Sequence, residues 1–209
     1  MSKVLSQTFF DRNPVTVCQE LLGKFLVIKK KWNISKYIIT EVEAYDGEED
    51  EACHARHGKT ERNAPMYSAP GCRYVYMIYG MYYMLNIVTG PGKHPSAILI
   101  RGLRDNEESW GILRKIEEYW KKGKEKVTRN KDFAWPGKIT KNLWIDKRFN
   151  GKKANENSWL RVEESWIVVS PIKTAPRVGI DYASDEWKNK HWRFYADDPG
   201  LPRAGNWRF

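Results

Sequence analysis

The chain has 209 residues, 41% hydrophobic and 30% charged, with 36 Lys and Arg against 26 Asp and Glu for a net charge of +10. That describes one globular domain able to bury about 70% of its unfolded surface. No apolar run approaches the roughly 18 residues of a membrane span, and the opening MSKVLSQTFFDRNP lacks the basic stretch and long apolar core of a secretion signal.

In chain order, the first element is a helix over Asn13 to Leu22. Asn13 caps it, Pro14 suits its first turn, Val17, Cys18, Leu21 and Leu22 share a face, and Gly23 ends it. KFLVIKK and KYIITEVEAY, separated by KWNIS, read as two antiparallel strands of a hairpin. Regular alternation along the second puts Ile39, Glu41, Glu43 and Tyr45 on one face and Ile38, Thr40, Val42 and Ala44 on the other. The two carboxylates then stand about 6.6 Å apart at Cα beside a tyrosine. A carboxylate held rigidly on a strand is what a general base requires. Residues 41 to 51 hold seven of the 26 acidic side chains and no Lys or Arg, which leaves 36 basic against 19 acidic residues, a net +17, elsewhere. A carboxylate patch kept in a polyanion-binding chain points to chemistry; an acidic surface loop is the plainer alternative.

Cys53, His54 and His57, with Cys72 beyond them, are zinc-type ligands. Cys-His as direct neighbours without a C-x-x-C is not the spacing of a common zinc site, so no metal is expected. With Cys18 these make three cysteines, too few for a disulfide framework, and a reducing compartment is expected: cytoplasmic and nucleoid-associated in a prokaryote, nuclear in a eukaryote. RYVYMI and YYMLNIV form a second hairpin around Tyr79-Gly80-Met81, with Gly80 supplying backbone freedom. Tyr79 or Met81 then occupies an exposed tip, where large apolar groups are normally avoided. Minor-groove proteins use such groups as wedges between base steps; the alternative is a Tyr79 folded back onto the core.

AILIRGL, residues 97 to 103, is a third strand and carries Arg101. Asp105 and Glu108 have the spacing of a capping box, opening a helix that runs through Trp110, Leu113, Ile116 and Trp120 to Gly123. The basic loop KKGKEKVTRNK follows. WPGKITKNL enters another helix, where Lys138 and Thr140 suit either a phosphate at the free N–H groups or a plain structural turn. WIVVS reads as a strand; beyond it, Arg177 of APRVGID and Arg193 of the Trp-rich tail are placed to meet phosphate or to pair with an acid. Ten Trp, eleven Tyr and seven Phe in a basic chain combine charge with π faces in the way that suits nucleic acid. A Trp-rich core beneath a solvated Lys face has the same composition. No phosphate-loop, dinucleotide or serine-hydrolase motif is present, and no repeat or linker divides residues 1–209.

The block TEVEAYDGEEDEACHARHGKTERNAPMYSAPGCRYVYMIYGMYYMLNIVTG resembles the alkyladenine DNA glycosylase family, the 3-methyladenine DNA glycosylases of the mammalian type. The resemblance starts at FFDRNPVTVCQELLGKFLV and continues through ILIRGL, WPGKITKNL and APRVGID to WRFY, nearly the whole chain. It implies an α+β fold: a single domain with a curved, mostly antiparallel β-sheet flanked by helices and a protruding β-hairpin, similar to the carboxy-terminal domain of methionyl-tRNA formyltransferases. It also implies a cofactor-free, monomeric enzyme that flips alkylated or deaminated purines out of double-stranded DNA and hydrolyses the N-glycosidic bond. The substrates implied are 3-methyladenine, 7-methylguanine, ethenoadenine and hypoxanthine.

Carried onto matching positions, the resemblance makes Glu43 of E-A-Y the general base that activates water and Tyr45 one wall of the base pocket. His54 forms the opposite side, Tyr76 stacks on the flipped base, and Asn86 disfavours guanine through its 2-amino group. Tyr79 intercalates, Met81 lies along the minor groove, and Arg101 helps hold the water and the DNA backbone. No lysine matches a Schiff-base position, which implies a monofunctional enzyme. Three departures border the pocket or the DNA surface: a His54 to Arg62 segment one residue shorter than usual, Cys53 in place of Ala, and Trp135 where Gly often precedes P-G-K. The competing class is a non-catalytic nucleic-acid-binding module of the formyltransferase type; a metal-dependent hydrolase on Cys53, His54 and His57 is more distant, and a stoichiometric zinc would reveal it.

Overall fold

A computed structural model describes residues 2–30, 33–105, 133–155 and 157–196. After a single helical turn, α1 (Gln7–Phe10), helix α2 spans Pro14–Leu21. Asn13 caps it as expected, its side-chain oxygen accepting the Val15 and Thr16 amides at 2.9 and 3.4 Å. Strands β1 (Phe25–Lys30) and β2 (Asn33–Asp46) pair antiparallel from Lys30↔Asn33 to Phe25↔Ile38. The connection is shorter than KWNIS, because Ile34 and Ser35 already lie in β2.

Strands β3 (Arg73–Ile78) and β4 (Tyr82–Thr89) make the second hairpin, and β5 (Ser96–Asp105) contains the expected 97–103 strand. Asp105 is the last residue of β5 and pairs with Tyr37; the rest of the expected helix and the basic loop fall outside the described residues. Helix α3 (Pro136–Leu143) follows, then β6 (Leu160–Glu163), β7 (Ile172–Ala175), α4 (Asp185–Asn189) and β8 (Arg193–Ala196).

The main path through the sheet is β3-β4-β5-β2-β1-β6, with β8 added to β2 and β7 to β8. All of these pairings are antiparallel. Strand β2 is long enough to serve two neighbours on one side, β1 along its first half and β8 along its second. The sheet curls into a half-barrel until its edges approach: Arg73 of β3 donates from Nη1 to the Leu160 carbonyl of β6 at 2.9 Å. Inside the curl, Val17 and Leu21 of α2 and Ile139 and Leu143 of α3 pack on Val42, Leu85, Ile87, Ile98 and Ile100. Each such side chain contributes about 1.5–3 kcal/mol when fully buried. The α+β architecture inferred from sequence is the one observed.

Two strand readings need correction. Alternation along β2 is broken, since Ile39 lies in the core with Val42 and Ala44 rather than on the face of Glu43. The register slips on both sides of Glu41, from Ile39↔Leu103 to Glu41↔Gly102 to Val42↔Ile100. This bulge turns Ile39 inward while Glu41 and Glu43 reach the same arginine. Gly102 permits it, because an added Cβ would sit 2.8 Å from Thr40 Oγ1 and 2.9 Å from Glu41 Cβ.

WIVVS is not a strand; the strand is Ile172–Ala175. The Ser165 hydroxyl donates to the Gly23 carbonyl at 2.5 Å and accepts the Ile167 amide at 3.1 Å, which ties the segment across the end of α2. Among the described residues no helix is long and apolar enough to cross a membrane.

Candidate active site

Glu43 is fully buried on β2, and three donors from separate parts of the chain hold its carboxylate. The Val178 amide reaches Oε1 at 2.8 Å; the Tyr45 hydroxyl and Arg101 Nη1 reach Oε2 at 2.9 and 3.4 Å. The Arg101 contact is the loose one, because Arg101 Nε is engaged with Glu41 Oε1 at 3.0 Å. Burial pulls the Arg101 guanidinium toward its neutral form, and the Glu43 and Glu41 carboxylates more than reverse this, so it is held above its ordinary range. Burial raises the Glu41 carboxyl; Arg101 works against that rise, and Glu43 adds to it. Glu41 thus acts on Arg101 and is itself backed by Arg193 at 3.6 Å.

The loop bearing Val178 is pinned by its neighbour. Arg177 is buried, with Nη1 and Nη2 donating to the Asp50 carboxylate at 2.5 and 2.9 Å and Nη1 also to the Ala44 carbonyl at 3.0 Å. Its guanidinium lies 5.0 Å from the Tyr45 ring centroid. Arg177 and Arg193 therefore resolve as partners of buried acids, and the phosphate reading for them is dropped.

A cavity of about 210 Å³ opens above this cluster, and Tyr45, His54, Tyr76, Asn86, Arg101 and Val178 all line it. Glu43 itself lies behind the floor, reached through Tyr45, Arg101 and Val178. His54 sits in a 3-10 turn, His54–His57, fixed by Asn63, whose amide donates to the His54 and Gly58 carbonyls at 2.8 and 2.9 Å. Its Nδ1 and the Tyr74 hydroxyl hydrogen-bond at 2.8 Å, and its ring meets Tyr76 edge-on at 4.5 Å between centroids. Burial first, then the charges of Arg62 and Arg56, lower His54 to about 4, so the imidazole is neutral at pH 7. Burial raises the Tyr45 phenol, and the Glu43 carboxylate raises it further.

Asn86 is buried in β4, with Nδ2 donating across to the Tyr74 carbonyl at 3.1 Å, so its amide is fixed by the hairpin itself. Tyr79 lines the mouth and is 65% exposed at the tip, next to Gly80; Met81 is 67% exposed on the far side of the turn and outside this cavity. Lys138 is exposed on the first turn of α3. Thr140 corrects its sequence reading: it is 1% exposed, with Oγ1 2.7 Å from the Tyr83 carbonyl and 3.0 Å from that of Gly137. Its hydroxyl holds α3 to β4 and does not face a phosphate.

Two further lining residues, Val178 and Tyr182, had no sequence expectation at this site, and Trp135, expected to border the pocket or the DNA surface, lines it with them. Tyr182 donates to the Ala52 carbonyl at 3.0 Å and lies under Arg56, 4.7 Å from its ring centroid. Trp135 folds over Gly137, where an added Cβ would meet the indole at 2.4 Å, and stands edge-on to Tyr82. Among the described residues no group of three His, Cys, Asp or Glu side chains is arranged to hold a metal.

Residues 8–199 match the methylpurine-DNA glycosylase family. A Desulfitobacterium hafniense protein is 39% identical over 94% of this chain and 96% of its own length. One from Methanocella arvoryzae is 38% identical over 92% of each chain, and one from Ehrlichia ruminantium 37% identical over 95% of this chain and 92% of its own. All three bear 3-methyladenine DNA glycosylase as a provisional name. With the whole fold matched from α1 to beyond β8, the chain belongs to the methylpurine-DNA glycosylases, enzymes that hydrolyse N-glycosidic bonds in DNA.

Proposed function

We propose that this DNA glycosylase excises alkylated and deaminated purines, namely 3-methyladenine, 7-methylguanine, ethenoadenine and hypoxanthine, from duplex DNA and leaves an abasic site. The observation that carries the reading is an aromatic cavity, walled by Tyr45, His54 and Tyr76, built directly over a carboxylate held by Tyr45, Arg101 and Val178. A base in a duplex is out of reach until it rotates outward, at a cost of a few kcal/mol. Aromatic walls return about 1–3 kcal/mol by stacking, whichever flat base is held. The neutral His54 ring suits bases that alkylation has made cationic, since an imidazolium would repel them.

In this reading Glu43 accepts a proton from the attacking water, which enters where the loose Arg101 contact gives way. The water oxygen bonds to the anomeric carbon as the glycosidic C–N bond breaks. The electron pair of that bond leaves with the base, which departs neutral when alkylation has made it cationic and takes up a proton when it is neutral. Arg101 steadies the water and the adjacent DNA backbone, Tyr79 fills the gap left in the duplex, and Met81 follows the minor groove. Lys138 contacts a phosphate. Asn86, with its amide fixed by the Tyr74 carbonyl, excludes guanine by its 2-amino group. No lysine lines the cavity among the described residues, which favours hydrolysis over a Schiff-base route. The enzyme acts as a monomer, and its prokaryotic relatives favour a cytoplasmic setting.

The test is single-turnover release of base from duplex oligonucleotides carrying each lesion, with abasic sites revealed by alkali. Release of at least one alkylated and one deaminated purine, with undamaged adenine and guanine retained, is expected. Asn86→Ser is expected to raise guanine release; an unchanged guanine rate contradicts its gatekeeping role.

A further inference from the structure

A second cavity, of about 580 Å³, lies where the curled sheet closes on itself. Its size falls in the range of small-ligand sites. It is bordered by Arg73, the first residue of β3, whose next neighbours on the opposite face, Tyr74 and Tyr76, line the cavity above Glu43. Arg73, Arg148, Lys152 and Lys153 line the second cavity together with Trp144 and Trp159, and no Asp or Glu does so among the described residues.

Three features distinguish it from a packing gap. Arg73 is 3% exposed, and its guanidinium donates to carbonyl oxygens, from Nε to Lys152 at 3.1 Å and from Nη1 to Leu160 at 2.9 Å, with no carboxylate partner among the described residues. Burial draws it down to about 10, and an arriving anion would supply the missing countercharge. Lys152 and Lys153 make no ion pair with a described carboxylate, whereas Arg148 is held by Asp146 at 2.8 Å.

Trp144 and Trp159 are 71% and 55% exposed. Trp144 ends α3 at φ +61°, a left-handed position that helices ordinarily give to glycine. An indole kept there against steric preference, and turned to solvent, marks a surface with a task. Trp144 also lines a shallow groove with Met81, Tyr82, Lys141 and Asp146, so one indole is shared by that groove, which reaches the hairpin tip, and the second cavity.

We infer that this cavity is a second nucleotide site, in which a base stacks on Trp144 and Trp159 while Arg73, Lys152 and Lys153 hold its phosphate. Planar aromatic faces beside cations that pair with no carboxylate among the described residues are what recognition of a nucleotide needs. The groove from Met81 favours a nucleotide that belongs to a DNA strand over a free one. The inference does not rest on base excision, because binding is measured directly.

The experiment titrates the full-length protein, by calorimetry, with a short single-stranded oligothymidylate and with deoxyadenosine monophosphate at constant salt. The wild type is expected to bind the oligonucleotide. The pair Trp144→Ala with Trp159→Ala, and separately Lys152→Ser with Lys153→Ser, are expected to weaken it at least tenfold, while Lys188→Ser, on α4 and outside both cavities, leaves it within twofold. Binding of the oligonucleotide alone assigns the site to a strand; parallel binding of the mononucleotide assigns it to free nucleotides as well. Wild-type affinity in both double variants, an equal loss through Lys188→Ser, or no binding of either ligand overturns the proposal. A wild type that binds in this way and releases no damaged base would contradict the excision reading and leave the second site standing.

Discussion

Glu43 and Tyr45 were legible together because a single residue separates them on one strand, and the hydroxyl-to-carboxylate bond of 2.9 Å follows from that spacing. Val178 was not, since its amide meets Glu43 across 135 positions of chain, and only the fold makes that pairing. The same holds for Arg177, for which phosphate and an acidic partner stood equally open until the fold brought Asp50, 127 positions away, to it. The acidic stretch divides: Glu41, Glu43 and Asp50 are buried and bonded to arginines, while Glu48, Glu49 and Glu51 stay exposed, as the surface-loop reading had it. His54 gives a pH test at this scale. Its ordinary value is 6.5 and its folded value about 4, so between them the unfolded chain binds a proton that the folded chain refuses. Stability is therefore whole above pH 6.5 and is lost as pH falls toward 4. Urea unfolding at pH 7 and pH 4.5 is expected to show wild type losing about 2 kcal/mol more than His54→Gln. Equal losses in the two proteins would place the pH sensitivity elsewhere.

Among the elements, the β3–β4 hairpin was readable because two strand-like runs flank a three-residue turn, and its tip carries positive φ at Tyr79 (+50°) and Gly80 (+67°). A tyrosine held in that conformation and 65% exposed fits a wedge better than a packing role. Tyr79→Ala is expected to reduce affinity for lesion-containing duplex about tenfold and to leave undamaged duplex nearly unaffected, because phosphate contacts supply most general affinity. Equal losses on both duplexes in an anisotropy titration would remove the wedge. The β2 bulge was not readable, since period-two alternation assumes an unbroken strand, and the signal it left was a glycine, Gly102, on the neighbouring one. Gly102→Ala is expected to destabilise the fold by about 1–3 kcal/mol and to slow excision by displacing Glu41 from Arg101. Chemical denaturation alongside single-turnover kinetics checks this; a variant of unchanged stability and rate would mean that the bulge relaxes without consequence. WIVVS misled because β-branched residues favour strands only where a partner strand is within reach, and Ser165 anchors this run to Gly23 instead.

At the level of the whole molecule, the curl of the sheet does what no single element can. It closes β3 toward β6 through Arg73, encloses the core around α2 and α3, and leaves β2, β4 and β5 free to present Tyr45, Asn86 and Arg101 to one cavity. The closure was not legible, because β6 is four residues long and meets Arg73 from 87 positions away. The net charge of +10 over the whole chain was legible, and so was the hairpin whose tip leaves Tyr79 and Met81 exposed. All of this converges on one carboxylate, and the most direct measurement compares wild type with Glu43→Gln on a duplex containing one ethenoadenine or hypoxanthine. Binding is followed by anisotropy and base release by alkaline cleavage. The account predicts that the variant binds the lesion duplex within a few-fold of wild type while its release rate falls by about 10²–10⁴. A Glu43→Gln enzyme that releases the base at the wild-type rate would contradict it and move the chemistry to another residue.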